Sequence, residues 1–592
     1  MCGIIGYCGN GNTIEILKNG LKRLEYRGYD SAGISFFENG VLKTIKKAGS
    51  VDNLFLSIKN VKSHIGIGHT RWATHGKPTD ENSHPHLSFD GKVAVVHNGI
   101  IENYLSIKKN FLSNVHFKSE TDTEVISNLI EFFCLKGYGK LESLQKSVKL
   151  MKGSFAIAVV FADDDSRIYF AKNLSPLLIG IGKTENFLSS DILGFANKTK
   201  KYVLLDDYDY GYISKQNVSI FDKFDAPKVP NIQTMQGEIA NASKNGYAHF
   251  MLKEINEVKT AVKNTALQYA NDISPIEKLA DINKKGRFFL IACGTSFHSC
   301  LVGEKYFQKN GTDATALLAS EFIYSAPPID KNCICIFVSQ SGETADTLSA
   351  VKIAKQFGAT TIGITNVKTS QLTRICDYFL PICSGPEIAV ASTKAYNSQV
   401  ALLNILANFV KYGNACLKKN IGQITTIADK IDIENFDEQI KPLVKEVLTA
   451  SNIFVCGKDF DYVASLESAL KLKEISYLNA QGIASGEFKH GTIALVDDKT
   501  LIFAFLTQHK IASKTLNIVK QTKARGAKIV AITSIDENFG DFDFVVHLPK
   551  ASEDLIPIIA VTPMQLLAYR VAVTLGHNPD KPRNLAKSVT VE

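Results

Sequence analysis

The feature that constrains the fold most is a duplication in the second half of the chain. Four landmarks occur twice in the same order: an apolar strand ending in Cys-Gly, a Glu-Phe pair, an apolar strand ending in Gln, and a strand that begins Gly-Ala. The paired positions are Cys293 and Cys456, Glu321 and Glu487, Gln340 and Gln508, and Gly358 and Gly526. Their separation drifts only from 163 to 168 residues. A nearly constant period indicates two copies of one structural unit.

Each copy alternates short apolar, β-branched runs with longer helical segments. ICIFVS, ADTLSAVKIAKQFG and TTIGIT follow one another between residues 334 and 365. This alternation predicts an α/β unit whose parallel sheet is covered by helices on both faces. In such sheets, ligands bind at the carboxyl ends of the strands.

The first half of the chain has a different pattern. Short alternating strands, such as VAVVHNG and FAIAVVFA, are separated by turns and predict a mixed, mostly antiparallel sheet with packed helices. The segment from Asp225 to Gly246 is rich in Pro, Gly, Asn and Ser and is the best linker candidate. The predicted boundaries are 1–238 for the first domain, 239–275 for the linker and start of the second half, 276–435 and 436–580 for the two copies, and 581–592 for a C-terminal tail.

Composition indicates a water-soluble chain. It is 45% hydrophobic and 21% charged, and the formal charge of +8 is spread over scattered Lys and Arg residues, so no nucleic-acid partner is predicted. We find no apolar run of the roughly 18–20 residues needed to cross a membrane and no secretory signal, so we expect a cytoplasmic protein without a membrane partner. The eleven cysteines should then be mostly reduced.

The segment Ser339–Thr344, with the sequence SQSGET, follows a buried strand and opens a helix. Hydroxyl groups, one glycine and a helix N-terminus together favour an anion. The loop contains no lysine and no GxxxxGK[ST] pattern, which argues for a sugar phosphate rather than a nucleoside triphosphate. Alternatively, a hydroxyl of this segment only caps the helix. The second copy has Thr507–Lys510 at this place and lacks the Ser-Gly pair, which suggests that the copies have diverged.

Cys2 becomes the first residue once Met1 is removed. It would then carry a thiol and an α-amine with a pKa of roughly 7.7–8.0, which can act as the base for its own thiol. Six of the thirteen histidines lie between His64 and His97, but their spacings match no HxxxH pair. We therefore predict no metal site, and expect His75, His86 and His97 to be structural or supporting groups.

Three segments of the second half, CGTS at 293–296, SQSGET at 339–344 and VASTKA at 390–395, resemble sugar isomerase domains of the phosphosugar-binding type. The resemblance implies a fructose 6-phosphate pocket lined by Thr295, Ser296, Ser339, Gln340, Ser341, Thr344, Val390 and Ser392.

Five segments of the first half resemble class II glutamine amidotransferases: CGIIGY, YRGYDSAG, GHTRWATHG, HNGIIENY and SETDTEV. The resemblance implies an N-terminal nucleophile glutaminase domain, an α+β sandwich, with Cys2 as the nucleophile. It assigns Arg71 and Thr74 to the glutamine carboxylate, Asp122 and the Gly99 backbone to its ammonium group, and Asn98 and Gly99 to the oxyanion hole. Trp72, by default a packing residue, would gate an internal ammonia channel.

ALKLKEISY at 469–477, GEFKHG at 486–491 and the ending RNLAKSVTVE resemble glucosamine 6-phosphate synthases. The resemblance implies that Lys587 forms a Schiff base with the open ketose, Glu474 moves a proton between C1 and C2, His490 opens the ring, and Lys471 stabilises the enolate. Taken alone, Lys471 and Glu474 would be a surface ion pair and Lys587 part of a disordered tail. KEINEVK at 253–259 and KHGT at 489–492 depart from the usual family pattern without removing a proposed catalytic group.

The sequence thus predicts an α/β multidomain enzyme of the compact bacterial type, with a glutaminase domain followed by two parallel-sheet sugar-isomerase domains. The expected substrates are glutamine and fructose 6-phosphate, the expected assembly is a homodimer, and no cofactor is expected because Lys587 would serve as the electron sink. The alternatives are a related amidotransferase or amino-sugar deglycase acting on another phosphosugar, and a non-catalytic sugar-phosphate sensor.

Overall fold

The computed structural model describes residues 2–25, 28, 30–56, 58, 61–73, 76–235, 243–279, 286–536 and 542–590. The chain divides into two compact units, Met1–Asn241 with Ser588–Glu592, and Ala242–Lys587. The predicted boundary after residue 238 falls within 236–242, outside the described residues.

The described residues of the first unit form two antiparallel sheets and five α-helices. Its strands are β1 (Gly3–Gly9), β2 (Ser31–Glu38), β3 (Val41–Ala48), β4 (Ile65–Arg71), β5 (His86–Leu87), β6 (Val93–Ile101), β7 (Gly153–Phe161), β8 (Asp164–Asn173), β9 (Leu178–Ile181), β10 (Glu185–Ser189), β11 (Lys201–Leu204), β12 (Tyr210–Ser214), β13 (Val218–Phe221), β14 (Pro227–Lys228) and β15 (Ile232–Thr234). Its helices are α1 (Thr13–Leu24), α2 (Val51–Phe55), α3 (Tyr104–Phe111), α4 (Glu124–Leu135) and α5 (Lys140–Leu150). The sheet orders are β15-β11-β9-β10-β1-β4-β2-β3 and β14-β13-β12-β8-β7-β6-β5.

The two sheets pack face to face because their strands alternate. Ala94 and Val96 of β6 lie in the core between the sheets with Ile67 of β4, whereas Val93 and Val95 lie in a second core with residues of α4 and α5. Helix α1 covers the outer face of the other sheet. The fold is therefore a sandwich with helices on both outer faces.

Two expectations for this unit need correction. Among the described strands every pair in both sheets is antiparallel, so the sheet is not mixed; hairpins such as β2–β3 and β7–β8 impose this direction. Part of the linker candidate is also structured, because β15 pairs with β11 at a sheet edge.

In the second unit, the described strands form two five-stranded parallel sheets. Its strands are β16 (Phe288–Ala292), β17 (Ala314–Leu318), β18 (Ile334–Val338), β19 (Thr360–Thr365), β20 (Tyr378–Pro381), β21 (Asn452–Gly457), β22 (Ala480–Ala484), β23 (Thr500–Leu506), β24 (Lys528–Thr533) and β25 (Phe544–His547). Its helices are α6 (Phe250–Asn256), α7 (Val258–Asn271), α8 (Ser274–Glu277), α9 (Gly294–Lys309), α10 (Ala319–Ser325), α11 (Ala345–Gln356), α12 (Gln371–Ile375), α13 (Lys394–Tyr412), α14 (Asn414–Asp429), α15 (Ile433–Thr449), α16 (Phe460–Ser476), α17 (His509–Lys523) and α18 (Thr562–Thr574).

The duplication is confirmed by the sheet topology. The orders β17-β16-β18-β19-β20 and β22-β21-β23-β24-β25 are the same arrangement, and all their pairs are parallel. The helices that follow the first strand of each copy, α9 and α16, contact each other. One continuous core spans both copies, including Leu290 and Val455. This packing brings side chains from the two copies together.

One helical stretch among the described residues, Ile556–Thr574, is long and apolar enough to span a membrane, which the sequence analysis overlooked. Inside the fold 89% of its most apolar window is buried. Burial of that extent is typical of the core helix of a water-soluble protein.

Candidate active sites

Cys2 lies at the start of β1, beside the end of β4. The register pairs Gly3 with Thr70, which brings Cys2 next to Trp72. The Trp72 N–H donates to Cys2 Sγ over 3.3 Å, and Cys2 Sγ lies 3.6 Å from the Trp72 carbonyl oxygen. Burial raises the pKa of the Cys2 thiol above its ordinary value, so the thiol needs a base before it can act as a nucleophile.

Asn98, one of the two predicted oxyanion-hole residues, contacts the backbone of Cys2. Asn98 Nδ2 donates to the Cys2 carbonyl oxygen over 3.0 Å. Gly99 has a φ of 135°, and a side chain there would place its Cβ 2.0 Å from the Ser154 carbonyl oxygen. Only glycine fits this position without a backbone shift.

His69 determines which way the Asn98 amide faces. Its Nε2 lies 3.0 Å from both Asn98 Oδ1 and the His97 carbonyl oxygen. Both atoms are acceptors, so Nε2 must carry the proton. Burial lowers the pKa of His69 to about 3, which keeps the ring neutral. With its oxygen held by His69, Asn98 presents its NH₂ group to Cys2.

Arg71 lies near the Cys2 thiol, and Asp122 places an opposite charge near Arg71. Both side chains are buried, at 3% exposure each. Burial lowers the pKa of Arg71, and the nearby charges of Cys2 and Asp122 oppose this. Asp122 accepts the Ile101 N–H over 2.7 Å. A buried Arg and Asp together suit the carboxylate and ammonium groups of an amino acid. Thr74 and His75 lie outside the described residues.

The remaining predictions for this unit concern histidines and Trp72. His97 Nδ1 lies 2.9 Å from Thr123 Oγ1, and His86 Nε2 lies 3.0 Å from Thr121 Oγ1. Such buried, hydrogen-bonded rings fit a structural role. In the part of the chain that the structure describes, no group of three or more His, Cys, Asp and Glu side chains could hold a metal ion. Trp72 is half-buried.

In the second unit, Lys471 of α16 lies between two carboxylates. Its Nζ is 3.3 Å from Glu467 Oε1 and 2.5 Å from Glu474 Oε2. It also donates to Thr295 Oγ1, on α9 of the first copy, over 2.9 Å. The three charged residues are spaced four and three apart and so share one helix face. Lys471 is fully buried, so the surface ion pair interpretation is wrong. Although burial alone would lower the pKa of Lys471, the Glu467 and Glu474 carboxylates raise it above its ordinary value.

The SQSGET segment forms a turn between β18 and α11, as predicted. Ser339 Oγ accepts the Gly342 N–H over 3.0 Å and lies 2.9 Å from Thr344 Oγ1 and 3.5 Å from Ser341 Oγ. Gly342 has a φ of 67°, which favours glycine. Three hydroxyl groups therefore converge at the carboxyl end of a parallel strand. Within the same segment, the Gln340 carbonyl accepts from Thr365 Oγ1 over 3.1 Å.

Lys587 is buried against the VASTKA segment. Its Nζ lies 2.6 Å from Glu387 Oε2, and the two side chains are 5% and 0% exposed. Ser392 Oγ donates to the same carboxylate oxygen over 2.9 Å. Val390 is buried in this segment. The tail lysine thus has a defined position, in contrast to the alternative of a disordered tail.

Two other predicted residues have different surroundings. Ser296 Oγ accepts from Gln399 Nε2 over 3.0 Å. His490 is exposed, and within the described residues its side chain makes no hydrogen bond or ion pair. The structure of one chain does not bring His490 together with the Lys471 group.

Sequence reasoning missed several residues of these sites. Glu467 lies four residues before Lys471, so helical spacing could have found it; its Oε2 lies 2.7 Å from His298 Nδ1. Glu387 lies three residues before Val390 and has no local signal. His69 also has no local signal, because its partner Asn98 is on another strand.

Comparison with known proteins also assigns the two halves of the chain to different domain families. Residues 69–196 match the glutamine amidotransferase domain family, and residues 281–409 and 446–575 each match the SIS domain family. In solved structures, the chain resembles the C-terminal domain of glucosamine-fructose-6-phosphate aminotransferase from Francisella tularensis, with a TM-score of 0.54 and 31% identity over 58% of this chain and 100% of that one. A tagatose-6-phosphate ketose/aldose isomerase from Escherichia coli shares the fold, with a TM-score of 0.50 and 19% identity over 58% of this chain and 96% of that one.

Full-length relatives are more similar. Glutamine–fructose-6-phosphate aminotransferases (isomerizing) from Caldanaerobacter subterraneus subsp. tengcongensis and Pyrococcus horikoshii are each 42% identical, and one from Clostridium tetani is 40% identical, over 100% of both chains in every case. This chain belongs to the glutamine–fructose-6-phosphate aminotransferase (isomerizing) family.

Proposed function

We propose that this protein transfers the amide nitrogen of glutamine to fructose 6-phosphate and isomerises the product to glucosamine 6-phosphate, with release of glutamate. The observation that carries the proposal is the pairing of two nucleophiles in one chain. Cys2 lies beside the Asn98 amide in the first unit, and Lys587 lies against a buried carboxylate in the second. A sugar-phosphate sensor would need neither nucleophile.

In the first unit, glutamine lies with its carboxylate on Arg71 and its ammonium group on Asp122. Cys2 Sγ attacks the side-chain amide carbon, and the α-amine exposed by loss of Met1 takes the thiol proton. The Asn98 NH₂ group and the Gly99 N–H hold the oxyanion. Ammonia leaves, and water hydrolyses the thioester to glutamate. Thr74 assists at the carboxylate.

In the second unit, the hydroxyls of Ser339, Ser341 and Thr344 hold the sugar phosphate at the N-terminus of α11. The pocket is completed by Thr295, Ser296, Gln340, Val390 and Ser392.

The chemistry at C1 and C2 follows from the buried charges. His490 opens the ring, and Lys587 forms an imine at C2, from which ammonia displaces it. Glu474 carries a proton from C1 to C2. The pKa of Lys471 lies above its ordinary value, so Lys471 stays an ammonium and stabilises the enolate oxygen.

Three further properties belong to this proposal. Ammonia passes between the sites inside the protein, and Trp72, whose backbone bonds to the Cys2 thiol, gates its path. The protein works as a homodimer, in which the exposed His490 serves the site of the neighbouring subunit. It acts in the cytoplasm, since all eleven of its cysteines are free.

The test is to incubate the protein with glutamine, with and without fructose 6-phosphate, and to quantify glutamate and glucosamine 6-phosphate. We expect matched release of both products, stimulated by the sugar and abolished in Cys2→Ala. Glutamate without amino sugar would point to another acceptor, as in a related amidotransferase. Absence of glutamate under both conditions would contradict the nucleophile assignment and favour the sensor.

A further inference from the structure

We propose that Glu387 is the group that takes the proton from Lys587 and returns it to the departing oxygen when Lys587 forms its imine with the sugar. This inference rests on the proposed function, because it requires that Lys587 react with the ketose carbonyl. Glu387 would then be a catalytic residue, since it touches the reacting nitrogen.

Glu387 is held so that one oxygen faces Lys587. Its Oε1 accepts two backbone N–H groups, from Thr393 over 2.9 Å and from Ala395 over 3.1 Å. Its Oε2 lies 2.6 Å from Lys587 Nζ and accepts the Ser392 hydroxyl. The carboxylate cannot turn away without breaking these bonds, so the same oxygen stays within proton-transfer distance of the amine.

A second buried carboxyl, Glu254, lies near this pair but has different chemistry. One of its oxygens accepts the backbone N–H groups of Ile388 and Ala389, and the other has no hydrogen-bond partner among the described residues. Burial, and then the Glu387 charge, raise the pKa of Glu254 well above its ordinary value, which favours the neutral carboxyl.

Glu387 itself stays ionised. Burial alone would raise its pKa, but Lys587 and the backbone N–H groups bring it below the ordinary value. Lys394, the lysine of the VASTKA segment, forms an ion pair with Glu257, with its Nζ 2.6 Å from Glu257 Oε2. The charge facing Lys587 is therefore that of Glu387, and it is the only carboxylate that the described residues place within hydrogen-bond distance of Lys587 Nζ.

Imine formation needs a carboxylate that can transfer a proton at two separate steps. The ammonium first loses a proton to Glu387, and the free amine adds to C2 of the open ketose. In the resulting carbinolamine, the nitrogen proton passes to the former carbonyl oxygen, so that C2 carries a hydroxyl. Glu387 then returns its proton to this hydroxyl, which leaves as water while the nitrogen lone pair forms the C=N bond. The product is a protonated imine and an ionised Glu387, so protons and charge balance.

The experiment is to trap the imine with cyanoborohydride in the presence of fructose 6-phosphate and to follow the reduced adduct on Lys587 by mass spectrometry. Glu387→Gln keeps the shape but cannot take a proton, and we expect trapping to slow by about 10²-fold. Glu387→Ala should be equally slow, and added formate should restore its rate at least about tenfold by supplying a carboxylate. Glu254→Gln is the matched control: because Glu254 bonds to the Ile388 and Ala389 backbone and, among the described residues, makes no hydrogen bond to Lys587, the trapping rate of this variant should stay near wild type.

The outcomes separate the two proposals. Failure of the wild-type protein to form an adduct on Lys587 would refute the imine of the proposed function and this inference with it. Normal trapping by wild type and by Glu387→Gln alike would refute the Glu387 role alone. Slow trapping in both Glu387 variants with no response to formate would show that Glu387 only positions Lys587, and would also overturn the inference.

Discussion

The two SIS copies can be compared position by position from the Cys-Gly pair that ends the first strand of each. At three positions of α16 the second copy has Glu467, Lys471 and Glu474; at the equivalent positions the first copy has Glu304 and Gln308 on α9 and Gly311 just after its end. In the second copy these residues form a buried charged group. In the first copy, Gln308 Nε2 donates to Glu304 Oε1 at an exposed place on α9. The same positions thus hold a buried charged group in the second copy and an exposed polar pair in the first.

The loops that follow the third strand of each copy, β18 and β23, also differ, and here the buried acid is in the second copy. In the first copy, Ser339 binds within its own turn, to Gly342 and Thr344. In the second copy, the backbone N–H and the hydroxyl of Thr507 both donate to the carboxylate of Asp461, which is buried on α16. An internal carboxylate thus takes the donors that an external anion would need. The comparison teaches that two copies of one domain can differ by one buried acid: Asp461 accepts the donors of this loop in the second copy, whereas the hydroxyls of the first copy contact one another.

The strongest test of this difference between the two copies is the substitution Lys471→Met. It removes the ammonium and leaves Glu467 buried without its main partner, so we expect glucosamine 6-phosphate formation to fall by about 10³-fold. Glutamate release at Cys2, in the other unit, should persist. The matched control is Gln308→Met at the equivalent position of the first copy, which should stay within about threefold of wild type because an exposed pair contributes little. Equal losses in both variants would show that the copies have not divided the work.

The next test concerns the loop of the first copy. A Cβ at Gly342 would lie 2.1 Å from Ser370 Oγ, at a φ of 67°. Gly342→Ala should therefore distort the hydroxyl turn and raise the KM for fructose 6-phosphate by about 10²-fold, since strain and overpacking each cost about 1–3 kcal/mol.

Gly311→Ala provides the control for backbone strain alone. Gly311 has a φ of 77°, but a Cβ there would meet only Lys411 Nζ, at 3.7 Å. Its KM for fructose 6-phosphate should be unchanged, while its melting temperature falls. A similar KM for both variants would contradict a phosphate site at the SQSGET turn.

The smallest expected effect is a pH dependence of stability in the second copy. Burial raises the pKa of Asp461 from 3.8 to about 7, and the Thr507 donors lower it only in part. The folded state therefore binds this proton more tightly than the unfolded state, and the stabilisation from it is complete below about pH 4 and lost as the pH rises towards 7.

Asp461→Asn carries no such proton. We expect its melting temperature, relative to that of the wild type, to rise by a few degrees between pH 5 and pH 7 and then to level off. Differential scanning calorimetry at several pH values measures this. A constant difference across that range would mean that Asp461 is ionised throughout, as a true replacement for a bound anion.

Much of the fold was predictable from the sequence because its signals are local. A constant period in the second half predicts two equal units, and alternation of apolar strands with helices predicts parallel sheets, as found in β16–β20 and β21–β25. The convergence of Ser339, Ser341 and Thr344 follows from their short spacing at a strand end. Helical spacing also explains why Lys471 and Glu474 share a face.

Other features depend on contacts between residues far apart in the chain. Lys587 meets Glu387 across 200 residues, and Asp461 meets Thr507 across 46. Neither partner is marked by a local period, because the backbone path between them is set by sheet order and helix packing.

By itself, the sequence determined the duplication of the second half, the parallel type of its two sheets and the short segments that carry reactive groups, since these follow from periods of two, 3.6 and about 165 residues. Only the tertiary structure decided which of those groups are buried, which are charged and which proton acceptor faces which nucleophile. The physical reason is that the pKa of a buried group depends on desolvation and on the charges beside it, and both come from parts of the chain that only folding brings together.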